Sequence, residues 1–154
     1  DCTGTFNTPR RLGDGGIPAV GELNARQHIA WGVEDVLGER RAHYAGRSVL
    51  LVGGGYSAAA TACALAELAE QENSTWVFWL TNGPLPRVPN DPLKERDRLA
   101  VKANSLATRC DGNLEFHPQT LIDEVTCHGP DGGFRVAGRS AGKPASWEVE
   151  RVIA

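Results

Sequence analysis

The chain has 154 residues, which suits one domain; 41% of them are hydrophobic and 23% charged, and that balance excludes a disordered tail. A net charge of −3 argues against a nucleic-acid grip driven by phosphate neutralisation. No apolar run approaches the roughly 18 residues that cross a bilayer, so neither nucleic acid nor membrane is expected as a partner.

The opening residues 1–24 are punctuated by Gly4, Pro9, Gly13, Gly15, Gly16, Pro18 and Gly21, which predicts extended backbone rather than helix. Ile29, Trp31 and Val33 alternate as in a short strand, and a helix is expected over about 35–44, with Gly46 ending it. Val49-Leu50-Leu51-Val52 is a continuous apolar run, the pattern of a strand buried on both faces of a parallel sheet. Ala58, Ala62, Leu65, Ala66 and Ala69 follow at helical spacing, predicting a helix from Tyr56 to Gln71 that Asn73-Ser74 breaks. Thr75–Leu80 is rich in β-formers and reads as the second buried strand.

After a proline-rich loop, Asp91-Pro92 resembles an N-cap with proline at the first helical position. Leu93, Leu99, Ala103, Leu106 and Ala107 would carry that helix to about Cys110. Leu114–His117 is a third strand, and 121–127, 134–138 and 147–154 read as strands of an antiparallel meander joined by 129–133 and 138–144. Right-handed crossovers then make the first three strands parallel, with helices packed on the sheet. The expected fold class is α/β, a Rossmann-like parallel sheet flanked by helices with a small antiparallel β-meander.

Gly53-Gly54-Gly55-Tyr56-Ser57-Ala58 has the form G-x-G-x-x-A between a buried strand and an alanine-rich helix. Gly53 permits the tight turn, Gly55 lets backbone approach a pyrophosphate, and Ala58 lets helix and strand pack closely. The helix N-terminus offers unpaired N–H groups and partial positive charge to phosphates. A free ribose 2′-hydroxyl calls for Asp or Glu at the end of the second strand, but Leu80, Thr81 and Asn82 stand there. Thr81 and Asn82 can donate hydrogen bonds to a 2′-phosphate, and Arg87 lies close along the loop with Lys94, Arg96 and Arg98 beyond it. This pattern favours NADP(H) over NAD(H), which stays open. Glu67, Glu70 and Glu72 read as a solvated helix face.

No catalytic constellation stands out. His28, His43, His117 and His128 lack obvious partners. Gly55-Tyr56-Ser57-Ala58-Ala59 departs from the G-x-S-x-G elbow at Ala59, with no histidine placed as its base. Cys2, Cys63, Cys110 and Cys127 form no C-x-x-C pair, and Cys127-His128 cannot make a tetrahedral zinc site, so free thiols, no metal and a cytoplasmic location are expected. Trp76 and Trp79 belong to the second strand; Trp31 could instead lie near a cofactor or a domain interface. The chain contains no methionine and opens on Asp1, which carries the expectation of a segment cut from a longer protein.

Asp1-Cys2-Thr3-Gly4-Thr5-Phe6 resembles the threonine-glycine crossover that leaves the FAD domain of flavoproteins with two dinucleotide-binding domains, and Gly15–Ala19 continues the pattern. Ser48–Ala60 resembles the NAD(P)H fingerprint of that same superfamily, and Glu150–Ala154 its strand returning to the FAD domain. The superfamily is that of the pyridine nucleotide-disulphide oxidoreductases and flavin-containing monooxygenases. The resemblance implies one NAD(P)H-binding domain over 1–154: a crossover segment and lead-in at 1–47, a βαβαβ core at 48–119, and a meander and return strand at 120–154.

By the same resemblance, the domain would hold NADPH so that its nicotinamide can pass a hydride to flavin. FAD, its binding domain and a homodimeric assembly would belong to the parent protein, and the isolated segment would be inactive. Gly53, Gly55, Tyr56, Ser57 and Ala58 would face the pyrophosphate, and Thr81, Asn82 and Arg87 the adenosine 2′ end. Thioredoxin reductases carry C-x-x-C before this fingerprint, whereas residues 28–47 hold no cysteine, so the chain is not expected in that subfamily. A dinucleotide-sensing or structural Rossmann module without chemistry is the alternative, and a free-standing dehydrogenase is disfavoured for want of an acid–base pair.

Overall fold

Two βα units in sequence order, followed by a third parallel strand, build the centre of the molecule. The computed structural model describes residues 11–83, 85, 92–109 and 112–154. Strand β1 (Ser48–Val52) leads into helix α3 (Tyr56–Gln71), strand β2 (Trp76–Leu80), helix α4 (Lys94–Thr108) and strand β3 (Leu114–His117); two single-turn helices, α1 (Glu22–Ala25) and α2 (Arg41–Tyr44), precede them. Strands β4 (Thr120–Cys127), β5 (Phe134–Ser140) and β6 (Lys143–Val149) follow, then a short β7 (Arg151–Ile153). The order β3-β2-β1-β7 makes an all-parallel sheet, and β4-β5-β6 an antiparallel one.

Alternation along the parallel strands decides the layers. Val49, Leu51, Val77, Trp79 and Ile153 point to one face, where Ala59, Ala62, Leu65 and Leu68 of α3 and Ala103 of α4 complete an apolar core. Leu50, Leu80 and Val152 point to the other, where Ile122, Val125, Val136, Trp147 and Val149 cover them. Helices therefore lie on one face and the meander on the other. Small residues on α3 let it sit close to the strands: Ala59 and Ala62 are fully buried.

Several boundaries differ from the sequence expectation, each for a local reason. Extended backbone was expected through residue 24, but α1 starts at Glu22. Gly21 enters it in the left-handed region (φ 80°), and Glu22, fully buried, accepts the Leu12 and Ala19 amides on Oε2 at 3.0 and 2.8 Å. The lead-in also runs beside β4, with Val20 N–H donating to Asp123 O and Val125 N–H to Val20 O. The strand expected around Ile29–Val33 shrinks to a parallel bridge of Ala30 to Ile153 at the β7 edge.

The helix expected over 35–44 is helical only at Arg41–Tyr44, because the Asp35 carboxylate takes the Gly38 and Glu39 amides and closes a turn first. Helix α4 starts at Lys94 behind an extended Leu93, not at Pro92, and Leu93 is exposed rather than part of the apolar face; Glu95 and Asp97 in the first turn suit that start. Asp91 and Cys110, expected at the helix ends, lie outside the described residues. Strand β6 begins at Lys143, so the β5–β6 connection is only Ala141-Gly142. The strand expected over 147–154 is two, divided at Glu150 as the chain passes from meander to parallel sheet.

Glu150 makes that passage firm. Its Oε1 accepts from Arg47 Nη1 at 2.6 Å and its Oε2 from the Ser48 amide at 3.0 Å. The Arg47 hydrogen bond chiefly holds the carboxyl below its ordinary value against a smaller opposing effect of burial. A carboxylate depressed in the folded state adds stability that is present above the unfolded value near 4.3 and is lost as pH falls through the lower folded value. Glu150→Gln is therefore expected to melt below the wild type at neutral pH, with the gap closing below about pH 4. Melting temperatures across pH 3–7 check this; a gap independent of pH would contradict it.

Candidate dinucleotide site

The C-terminal ends of β1 and β2 carry the predicted residues. Gly53 has φ 142°, strained for any side chain, and a Cβ there would stand 3.1 Å from the Ala58 Cβ. The turn is anchored from the sheet: Gly53 N–H donates to Leu80 O at 3.0 Å, and the Trp79 indole Nε1 donates to Gly53 O at 2.9 Å. Trp79 is fully buried, with Phe116 edge-on at 5.2 Å.

Gly55 is the N-cap of the 16-residue α3 and provides no side-chain cap; its backbone is extended (φ −87°, ψ 177°). A Cβ built on it meets nothing within 4 Å. The first-turn amides of any helix lack intrahelical acceptors and sit at its positive end. Ala59 N–H closes the first helical bond onto Gly55 O at 2.9 Å. Ser57 is exposed, and its carbonyl accepts the Thr61 hydroxyl at 3.0 Å.

Thr81 follows β2 directly and is buried; its Oγ1 has no hydrogen-bond partner among the described residues. Its backbone is fixed by N–H donation to His117 O and by acceptance from Thr120 N–H. Asn82 is exposed beside it. No carboxylate occupies these two positions. The structure thus brings Gly53, Gly55, Tyr56, Ser57, Ala58, Thr81 and Asn82 to one edge of the sheet. Arg87 lies outside the described residues.

Two residues join this site that sequence reasoning left out of it. Trp79 read as plain core, yet its indole holds the turn. Arg96, noted only as one of several trailing basic residues, lays its guanidinium 4.2 Å from the Tyr56 ring centroid. The signal for Trp79 was its place next to the strand end; nothing local pointed to Arg96, whose contact joins two helices.

Other features lie elsewhere. Trp31 donates from Nε1 to Arg26 O and borders a shallow hollow with Leu23, Asn24 and Gln27. A hollow of about 750 Å³ opens between α3 and α4 beside the C-terminal half of α3, away from the glycine turn. Glu67, Glu70 and Glu72 are solvated, as their spacing suggested. Cys63 and Cys127 are free thiols, and burial pushes the Cys63 thiol up, so it is not a poised thiolate; Cys2 and Cys110 lie outside the described residues. Among the described residues no group of three or more His, Cys, Asp or Glu could hold a metal ion, and no helix is long and apolar enough to cross a membrane.

A parallel sheet, a glycine turn opening a helix at its carboxyl edge, and an antiparallel sheet on its second face define a Rossmann-like FAD/NAD(P)-binding domain fold. Solved structures with this fold include the cadaverine monooxygenase of desferrioxamine biosynthesis from Erwinia amylovora, solved bound to FAD, with a TM-score of 0.63 at 13% identity over 94% of this chain. A thioredoxin reductase from Gloeobacter violaceus aligns with a TM-score of 0.54 at 16% identity over 88% of this chain. The chain spans 41% and 36% of the lengths of those two structures. No protein-family model matches the chain, and no curated protein matches it.

Proposed function

We propose that this chain is the NADPH-binding domain of an FAD-dependent oxidoreductase, one that positions the nicotinamide for hydride transfer to flavin. The observation that carries the reading is the bare turn at Gly55. An uncapped four-turn helix begins there, and the space a side chain would take is empty. That space suits a diphosphate, which the first-turn amides of α3 would bind. Thr81 and Asn82 would meet the adenosine ribose, and the orphaned, buried Thr81 hydroxyl is a fitting donor. Arg87, from the loop beyond them, would add positive charge.

A bound pyridine nucleotide supplies the hydride; this chain's residues bind and orient it. FAD and its domain would come from a longer protein, since the solved structures of this fold are more than twice the chain's length. The fold likeness includes an FAD-bound monooxygenase, which supports the redox setting. The described residues near the turn hold no acid–base pair, which favours a sensing or structural Rossmann module as the second reading. Flavin absorbance in the full-length protein separates the two.

Melting with and without nucleotide tests the binding itself. Ligand at 100 times Kd should add about 2.7 kcal/mol, or roughly 5–10 °C for a domain of this size. NADPH is expected to give that shift. A melting temperature unmoved by millimolar NADPH and NADH would overturn the reading.

A further inference from the structure

The outer surface of the two long helices carries its own electrostatic complement. Helices α3 and α4 each follow a parallel strand and pack on the same face of the sheet, so they run side by side in one direction. The hollow between them has an acidic rim and a basic one. Glu67 and Glu70 stand on the α3 side, and Arg98 and Lys102 on the α4 side, all four exposed. Asp97 and Arg109, also on the α4 side, cancel in net charge. Among the described residues no ion pair joins Glu67 or Glu70 to Arg98 or Lys102; Glu67 accepts only from Gln71 of its own helix, at 3.4 Å. Between the rims Val101 is 59% exposed, whereas Ala100 and Ala103 beside it in sequence are buried.

Opposite charges held apart on neighbouring helices suit a contact between two identical surfaces. A two-fold axis running along the groove exchanges its two sides, so α3 of one chain faces α4 of the other. Each acidic rim then meets a basic rim, twice over, and the exposed Val101 of both chains is covered. An axis across the groove would instead set α3 against α3 and like charges together, so the pattern selects the first pairing. A foreign partner would have to present the same two rims in reverse; a second copy already does. We infer that two copies of this chain pair through the α3–α4 groove, in a weak, salt-sensitive homodimer. The hollow lies away from the glycine turn, so this inference goes beyond the nucleotide reading and does not depend on it.

Sedimentation velocity tests it on the wild type, on Glu67→Lys with Glu70→Lys, on Arg98→Glu with Lys102→Glu, and on Val101→Asp. The wild type is expected to pair with a dissociation constant on the order of 10 µM, weakening roughly tenfold between ~0.05 and ~0.5 M salt. Each charge-reversed double variant alone should pair more than about 10-fold more weakly, because like charges then meet at both symmetric contacts. An equimolar mixture of the two should form heterodimers at least as tight as the wild type, a recovery that damage to the fold cannot produce. Val101→Asp should also weaken pairing, and it decides the matter if a double variant does not melt cooperatively. A wild type that stays monomeric up to about 500 µM would overturn the inference and leave the groove to another molecule or none. So would a dimer indifferent to these substitutions, which would use another face, or a mixture that fails to recover pairing.

Discussion

Trp79→Ala is expected to cost about 3–5 kcal/mol of folding stability, the range for removing a large aromatic side chain from a packed core. Trp79 is fully buried on the helix face of the sheet, edge-on to Phe116, and is the largest side chain in that core. The loss matters because domains of this kind hold only about 5–15 kcal/mol in total. The change also strips a hydrogen bond from the Gly53 carbonyl, so the glycine turn loosens along with the core. Trp79→Phe separates the two effects. It keeps most of the apolar volume and loses the indole donor, so about 1–2 kcal/mol is expected from the hydrogen bond and the residual void. Urea unfolding of both variants checks the pair. A Trp79→Ala cost below about 1 kcal/mol would mean that the indole does not carry this core.

The parts of the fold legible in sequence were those whose signals are local and concordant. Helix α3 runs Tyr56–Gln71 as its pattern indicated, because a glycine turn starts it, alanines at helical spacing fill one face, and Asn73-Ser74 stops it. Strand β3 was equally plain at Leu114–His117. The helix expected over 35–44 is shortened to α2 because the Asp35 side chain takes the Gly38 and Glu39 amides in a turn that competes with helix, a choice that apolar spacing does not reveal. Glu150 split the final strand through partners about a hundred residues away, Arg47 and Ser48, which no local window contains.

The candidate site follows the same division. Its backbone, Gly53 to Ala58, was readable because the motif is contiguous and its strand–turn–helix context lies alongside it. The end of β2 was readable as a position, Thr81 and Asn82, and as the absence of a carboxylate. The support beneath the turn and the cation above it were not. Trp79 reaches Gly53 across the sheet, and Arg96 reaches Tyr56 from another helix, so both depend on tertiary packing.

Gly55→Asp is expected to move stability and nucleotide affinity in opposite directions. Position 55 is an N-cap with ordinary extended backbone and an empty Cβ direction, so the folded protein has room for the side chain. Aspartate is among the preferred N-cap residues, and its charge suits the positive end of α3, so the nucleotide-free variant should melt at or slightly above the wild type. The same carboxylate would stand where a diphosphate is proposed to sit. Two unit charges about 4 Å apart repel by about 4 kcal/mol at an effective dielectric of ~20, so affinity should fall by more than about 100-fold.

That contrast yields the most direct measurement: calorimetric titration of NADPH into the wild type and Gly55→Asp side by side, each confirmed folded by its melting curve. Saturable binding by the wild type and none by the equally stable variant is the predicted result. Equal affinity in the two, or no heat from either, would show that no phosphate rests on the turn between β1 and α3.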